Sequence, residues 1–500
     1  MKVMVQIKKL AVIILGLYLV YAVGLLYWVV IYSGSGDGDT LEHVHSSWLV
    51  YHGKIPYKDF FQHHHPLLWY IGAPLVGAFE YSLRAVDAVN ILTVTITALT
   101  VFYIYSLHKN FLAGKLGGLI AAAFFILPQD SLYNKDFKPD NFMVAALIIG
   151  LYELCVYLKK KQMSALAFSF LAFFLAFMIT QKALLILAAI GGIILYLLYT
   201  NQIRKQDFIY SIILPIMLYS AFLVFLYSQN ILNVYFKANF ELNTYIPQVF
   251  AKRRFIAPSP EMWGPIILAL YALIKCSNNN LYYRIISIIF MAEFVIRMYY
   301  LTPFIYYFAF LHAIASILAA AMIMEFAKKN KQVIIIVLLY FLGLGYFYTY
   351  KYSQRITVGD SFKYGAAGYV LENTTPCDYV LNGYRIGYNL FNKDVDFIWN
   401  LKGQIDVIAA TIGMYPLSDL ESLIREKRPK IIYGGNYYDT YREYRGEIGK
   451  YPIHWISKHL LEEMYNPLPR DNLYILKPEY QSYDCRYNPR TKSYEYRDKH

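Results

Sequence analysis

Residues 37–66 read DGDTLEHVHSSWLVYHGKIPYKDFFQHHHP and are the most polar stretch in the first half of a very apolar chain. They follow a long apolar run at 10–32, and they hold four acids (Asp37, Asp39, Glu42, Asp59) and six of the 11 histidines. Asp39 suits a helix cap, and Glu42, three residues on, completes a capping box. Gly53 ends that helix, with Pro56 just beyond. Leu41, Val44, Trp48 and Tyr51 share one face, while Asp39, Glu42, His43 and Ser46 gather opposite. The pattern predicts an amphipathic helix along a membrane surface, apolar face down and carboxylates up. A second helix is predicted from Pro66, able to lie along the bilayer or dip into it.

The surrounding chain is membrane-like. Of its 500 residues 57% are hydrophobic and only 16% charged, with a mean hydropathy of +0.34. That is too apolar for a soluble fold of this length. A membrane span needs about 20 apolar residues. Candidate spans are 10–32, 88–107, 116–128, 142–158, 163–180, 183–200, 208–227, 262–275, 285–301, 303–327 and 332–350, about eleven in all. The first begins like a secretory signal, but its apolar run is long and no small-x-small site follows. It reads as an uncleaved span.

The net charge of +13 does not point to nucleic acid, because the basic residues stand between apolar runs as topology signals do. Lys2, Lys8, Lys9, Lys109, Lys115, Lys159, Lys160, Lys161, Arg204, Lys205, Lys275, Arg284, Lys328, Lys329 and Lys331 all fall on the N-terminal side if the spans alternate. This predicts a multi-pass cell-membrane protein with a cytoplasmic N-terminus. The 37–66 stretch is then outside, with 129–141, the turn at Lys182 and 228–261.

From about Lys351 the chain turns polar. Residues 379–381, 430–433 and 473–476 read as short buried strands, and 416–428, PLSDLESLIREKR, as a helix between two of them. The fold class expected is a mainly α polytopic membrane protein over 1–350, with a loop at 33–87 carrying the chemistry. A small extracytoplasmic α/β domain follows over 351–480. Residues 481–500 read as a disordered basic tail. No glycine-rich phosphate loop follows a strand there, so no nucleotide is assigned. Cys155 and Cys276 fall at cytoplasmic span ends without metal spacing; Cys377 and Cys485 are either a disulfide or two thiols.

The order Asp39, helix, Gly53-x-x-Pro56-Tyr57-x-Asp59-Phe60, then Pro66-Leu67-x-x-Tyr70 resembles the first outer loop of polyprenyl-phosphate-sugar-dependent membrane glycosyltransferases. This is the GT-C class, in the branch of the protein O-mannosyltransferases and the lipid A aminoarabinose transferases. Two positions depart from it. The class often has Asp-Glu where this chain has Asp39-Thr40, and Pro-Pro where it has His65-Pro66. The resemblance implies single-displacement, inverting transfer of a sugar from a polyprenyl-phosphate donor to an acceptor hydroxyl on a lipid, glycan or protein. Asp39 would be the base, with Glu42 as the candidate second acid; Tyr57 and Asp59 lie in the matching motif and are assigned to substrate binding.

Asp140, at the start of a span, is similar to the class's second outer-loop acid, and it is equally suited to cap its helix. Lys182, in Thr180-Gln181-Lys182, is similar to the class's Thr-Lys turn. Lys252, Arg253 and Arg254 lie in a long outer loop, either as a solvated basic patch or, as the resemblance implies by position, with Arg253 or Arg254 receiving the departing phosphate, for which planar guanidinium groups suit. Arg297 lies one turn after Glu293 within a span, either as their salt bridge or as another phosphate contact. His63 and His64 are expected to hydrogen-bond phosphate or sugar. The histidine spacing fits no standard zinc site. No cofactor is assigned with certainty; a divalent cation held by Asp39 and Asp140 is the one considered. The rival readings are a transporter or flippase, and a non-catalytic lipid-sugar-binding relative.

Overall fold

The computed structural model describes residues 2–33, 38–126, 135–245, 258, 260–275, 280–299, 305–357, 363–382, 389–399, 405–433, 456–468, 473–481, 483–488 and 493–498. The helices run α1 (Lys2–Ser33), α2 (Gly38–Tyr51), α3 (Leu67–Ala78), α4 (Arg84–Phe111), α5 (Gly114–Ile126), α6 (Pro139–Lys160), α7 (Met163–Ile179), α8 (Ala183–Tyr199) and α9 (Lys205–Ser228). They continue as α10 (Leu232–Phe236), α11 (Pro260–Lys275), α12 (Leu281–Tyr299), α13 (Ala309–Lys329), α14 (Gln332–Thr357), α15 (Lys363–Asn373), α16 (Ile405–Thr411), α17 (Leu420–Lys427) and α18 (Lys458–Met464). The chain forms two compact units. One comprises Met1–Ser33, Asn90–Val224 and Arg253–Gly359; the other comprises Gly34–Val89, Phe225–Lys252 and Asp360–His500.

The first unit is helical, and each apolar run predicted to span lies on a helix among the described residues. Among the described residues six helices are long and apolar enough to cross a membrane: Gln6–Tyr32, Arg84–Phe111, Pro139–Lys160, Lys205–Ser228, Ala309–Lys329 and Gln332–Ser353. The chain is a mainly helical polytopic membrane protein. Helix α13 is the most buried of these six helices, packed against α5, α11 and α12. Its alanine-rich sequence, AFLHAIASILAAAMIMEFAKK, lets neighbouring backbones approach closely. Helices α6 and α7 form a tight pair for a similar reason. A Cβ at Gly150 would lie 2.4 Å from the Phe173 ring, and Ser169 Oγ donates to the Gly150 carbonyl at 2.8 Å.

In the second unit α2 packs against α3. The predicted surface-lying amphipathic helix is corrected here: residues 40–50 of α2 are all buried, polar ones included, and it is Tyr51 that is exposed. Several of its buried polar groups have polar partners. Ser46 and Ser47 donate to the Glu42 and His43 carbonyls, Gln62 donates to Ser46, and Trp69 donates to His43. The predicted capping box also gives way. Helix α2 begins at Gly38, so Asp39 lies within its first turn. The predicted stop holds, with Gly53 at φ +75° in the left-handed region.

Five strands form a mixed sheet in the order β2-β1-β3-β5-β4. They are β1 (Tyr379–Leu381), β2 (Lys393–Asp394), β3 (Ile431–Tyr433), β4 (Tyr465–Pro467) and β5 (Leu473–Leu476). β1 runs parallel to β2 and β3, while β5 runs antiparallel to β3 and β4. Helix α17, capped by Asp419, and α18, capped by Ser457, cover it with Leu420, Ile424, Leu460 and Met464 in one apolar cluster. The predicted disordered tail is also corrected. β6 (Tyr483–Asn488) and β7 (Ser493–Asp498) pair antiparallel, with Asp484 opposite Arg497 and Arg486 opposite Glu495. Tyr483, Cys485 and Tyr487 in β6, and Tyr494 and Tyr496 in β7, fall at every second position, the period of a strand. Cys377 is disulfide-bonded; the Cys485 side chain lies outside the described residues.

Candidate active site

Asp39 sits in the first turn of α2, where the unpaired backbone N–H groups favour negative charge. It is half-buried, whereas Glu42, in the same helix, is 4% exposed. His43 follows Asp39 by one turn, and its Nδ1 accepts the indole N–H of Trp69 at 3.1 Å. Its ring lies between Trp69 and His64, with centroids 6.4 and 5.8 Å away. His45 faces other acceptors: Nδ1 is 3.2 Å from the Leu390 carbonyl and Nε2 is 3.0 Å from Asp394 Oδ2.

The loop after α2 is shaped by its own motif. Tyr57 adopts φ +68° and donates its N–H to the Phe60 carbonyl at 2.9 Å. Its hydroxyl donates to the His64 carbonyl, and burial pushes the phenol pKa upward. Asp59 Oδ2 accepts the Ile55 N–H at 2.7 Å. Tyr57 and Asp59, predicted for substrate binding, thus brace the turn. His63 and His64 are partly exposed, with rings 4.3 Å apart. Behind them, Asn243 donates to the His63 carbonyl at 2.8 Å and Tyr235 meets His65 Nε2 at 3.2 Å.

In the other unit, Asp140 lies in the first turn of α6, and Lys138, not Asp140, occupies the cap position. Lys182 Nζ lies 3.2 Å from both Asp140 oxygens and 3.9 Å from the centroid of the Tyr307 ring. The Asp140 side chain is 4% exposed, so its charge is answered inside the protein. Arg297 Nε donates to Glu293 Oε1 at 2.5 Å in a buried pair, the salt-bridge alternative of the sequence reading. Arg253 and Arg254 lie outside the described residues. Among the described residues no three His, Cys, Asp or Glu side chains gather to hold a metal.

The family model for dolichyl-phosphate-mannose-protein mannosyltransferases matches residues 71–227. No curated protein sequence matches the chain significantly. Solved structures do. ArnT from Cupriavidus metallidurans bound to undecaprenyl phosphate superposes with a TM-score of 0.58 at 11% identity, over 83% of this chain and 92% of that one. The oligosaccharyltransferase of Archaeoglobus fulgidus in its apo form gives 0.54 at 13% identity, over 85% and 69%. The fold is that of the GT-C glycosyltransferases.

The family match takes in Asp140 and Lys182 and begins after Asp39. The assignment of Asp39 therefore rests on the loop motif. His43, His45 and Asp394 were not singled out as site residues from sequence. The pattern Glu42-His43-x-His45 was visible, but their partners Trp69, Leu390 and Asp394 are distant in the chain.

Proposed function

We propose that this chain is an integral-membrane glycosyltransferase. It moves one sugar from a polyprenyl-phosphate donor to an acceptor hydroxyl of a lipid, glycan or protein on the extracytoplasmic face. The observation that carries the reading is the GT-C fold, shared over 83% of the chain with an enzyme solved with undecaprenyl phosphate. The half-buried Asp39 at the head of an otherwise buried helix supports it.

In this reading Asp39 takes the acceptor's proton as the hydroxyl oxygen bonds to the anomeric carbon. The bond from that carbon to the phosphate oxygen breaks, its electron pair leaves with the polyprenyl phosphate, and the centre inverts. The departing phosphate gains charge, which fixed cations stabilise. Lys182, Arg253 and Arg254 are the cations of the proposal, with Arg297 behind them. Lys182 and Arg297 each already hold a carboxylate, Asp140 and Glu293, and Arg297 is the more deeply buried of the two.

The test is reconstitution. The purified protein in liposomes is offered a panel of undecaprenyl-phosphate hexoses and pentoses, and free undecaprenyl phosphate is followed by mass spectrometry. Consumption of one donor with a sugar appearing on an acceptor supports the proposal. Donor moved across the bilayer intact, with no transfer product, supports a flippase instead.

A further inference from the structure

His43 carries a chemical constraint that its neighbours do not. An indole N–H can only donate, so the Trp69 contact at 3.1 Å requires a bare lone pair on His43 Nδ1. The ring's proton is therefore on Nε2, and the imidazole is neutral. The ring is 2% exposed and clamped between Trp69 and His64, while Ser47 Oγ donates to the His43 carbonyl at 2.7 Å. Its tautomer and its orientation are both set by the protein.

Asp39 and His43 are four residues apart on α2, so they share a face. Helical side chains lean toward the N-terminus, so the His43 ring covers the turn that carries Asp39. We propose that His43 is a positioning residue for sugar transfer: its Nε2–H holds one oxygen of the Asp39 carboxylate and leaves the other for the acceptor hydroxyl. This rests on Asp39 being the base. A neutral donor is the right partner for that task. It favours the ionised carboxylate through a hydrogen bond without adding the full positive charge that would weaken the base further. The proton taken from the acceptor stays on Asp39, because His43 Nδ1 is occupied and the ring cannot relay it.

Two substitutions separate this role from a packing role. In His43→Gln the side-chain amide reaches the place of Nε2; in His43→Asn it reaches only that of Nδ1. With the undecaprenyl-phosphate sugar consumed in the reconstituted assay, His43→Gln is expected to keep kcat within roughly tenfold of the parent. His43→Asn is expected to lose on the order of a hundredfold, the usual cost of one aligned donor, with the donor KM unchanged in both. Equal activity in the two variants, or a loss carried by KM, overturns the proposal. A second measurement needs no turnover. In 15N-histidine spectra of the unsubstituted protein, the His43 signals, assigned by their loss in either variant, should show a bare Nδ1 and a protonated Nε2. A protonated Nδ1 overturns the proposal. If Asp39→Asn keeps full transfer, the base reading falls and this one with it. If Asp39→Asn is inactive and His43→Asn is not, only this one falls.

Discussion

Nε2 of His45, inside α2, lies 3.0 Å from the carboxylate of Asp394 on β2, with the histidine side chain fully buried and the carboxylate 13% exposed. Asn389 also donates to Asp394, and the Phe61 N–H donates to the Phe397 carbonyl at 3.0 Å. Trp399 returns a bond to the Phe61 carbonyl at 3.2 Å. Residues 389–399 thus fasten the helix that carries Asp39. Asp394→Ala leaves His45 Nε2 and the Asn389 amide facing an emptied acceptor position, a loss of about 2 kcal/mol. A lower melting midpoint in detergent checks this, and Asp394→Asn should lose less.

Asp140 and Lys182 should behave as one unit. Lys182→Met strands a carboxylate that is 4% exposed, and Asp140→Asn releases the ammonium held at 3.2 Å. A double-mutant cycle on thermal stability should show a coupling of about 1 kcal/mol or more, as contacting charged groups do. If Lys182 also meets the donor phosphate, Lys182→Met raises the donor KM, and Lys182→Arg restores part of it.

The Glu293–Arg297 pair separates structure from binding. Arg297→Leu alone leaves Glu293 buried and should cost about 3–5 kcal/mol. Glu293→Gln with Arg297→Leu should recover most of the stability. Unchanged donor KM in that double variant assigns Arg297 to the fold; a raised donor KM assigns it to the phosphate.

Glu80 gives a pH signature. Burial pushes its carboxyl up, but hydrogen bonds from His52 and Trp48 outweigh it and leave the pKa below the ordinary 4.5. A depressed carboxyl stabilises the fold above its unfolded value and loses that contribution as pH falls through the folded value. The melting midpoint should therefore drop below pH 4.5. Glu80→Gln, which cannot titrate, should flatten that part of the curve.

Much of the fold was legible because membrane burial imposes length. Among the described residues each apolar run that read as a span lies on a helix, and the short runs at 379–381, 430–433 and 473–476 contain β1, β3 and β5. The burial of α2 was not legible. The helix looked half-solvated because partners that bury it, such as Leu390 and Asp394 against His45, stand about 350 residues away in the chain. The tail hairpin was missed because its basic charge outweighed the two-residue period of Tyr483, Cys485 and Tyr487 and of Tyr494 and Tyr496, which only pairing makes useful. At the site, the motif that marked Tyr57 and Asp59 also builds the turn, so spacing alone could not separate binding from bracing.

The most direct test is single-turnover transfer by Asp39→Asn in liposomes loaded with the undecaprenyl-phosphate sugar that the parent protein consumes. The amide keeps the shape of the side chain and cannot take a proton. The account predicts a folded protein that binds donor as the parent does and forms no glycosylated product. Product formed at close to the parent rate would contradict it.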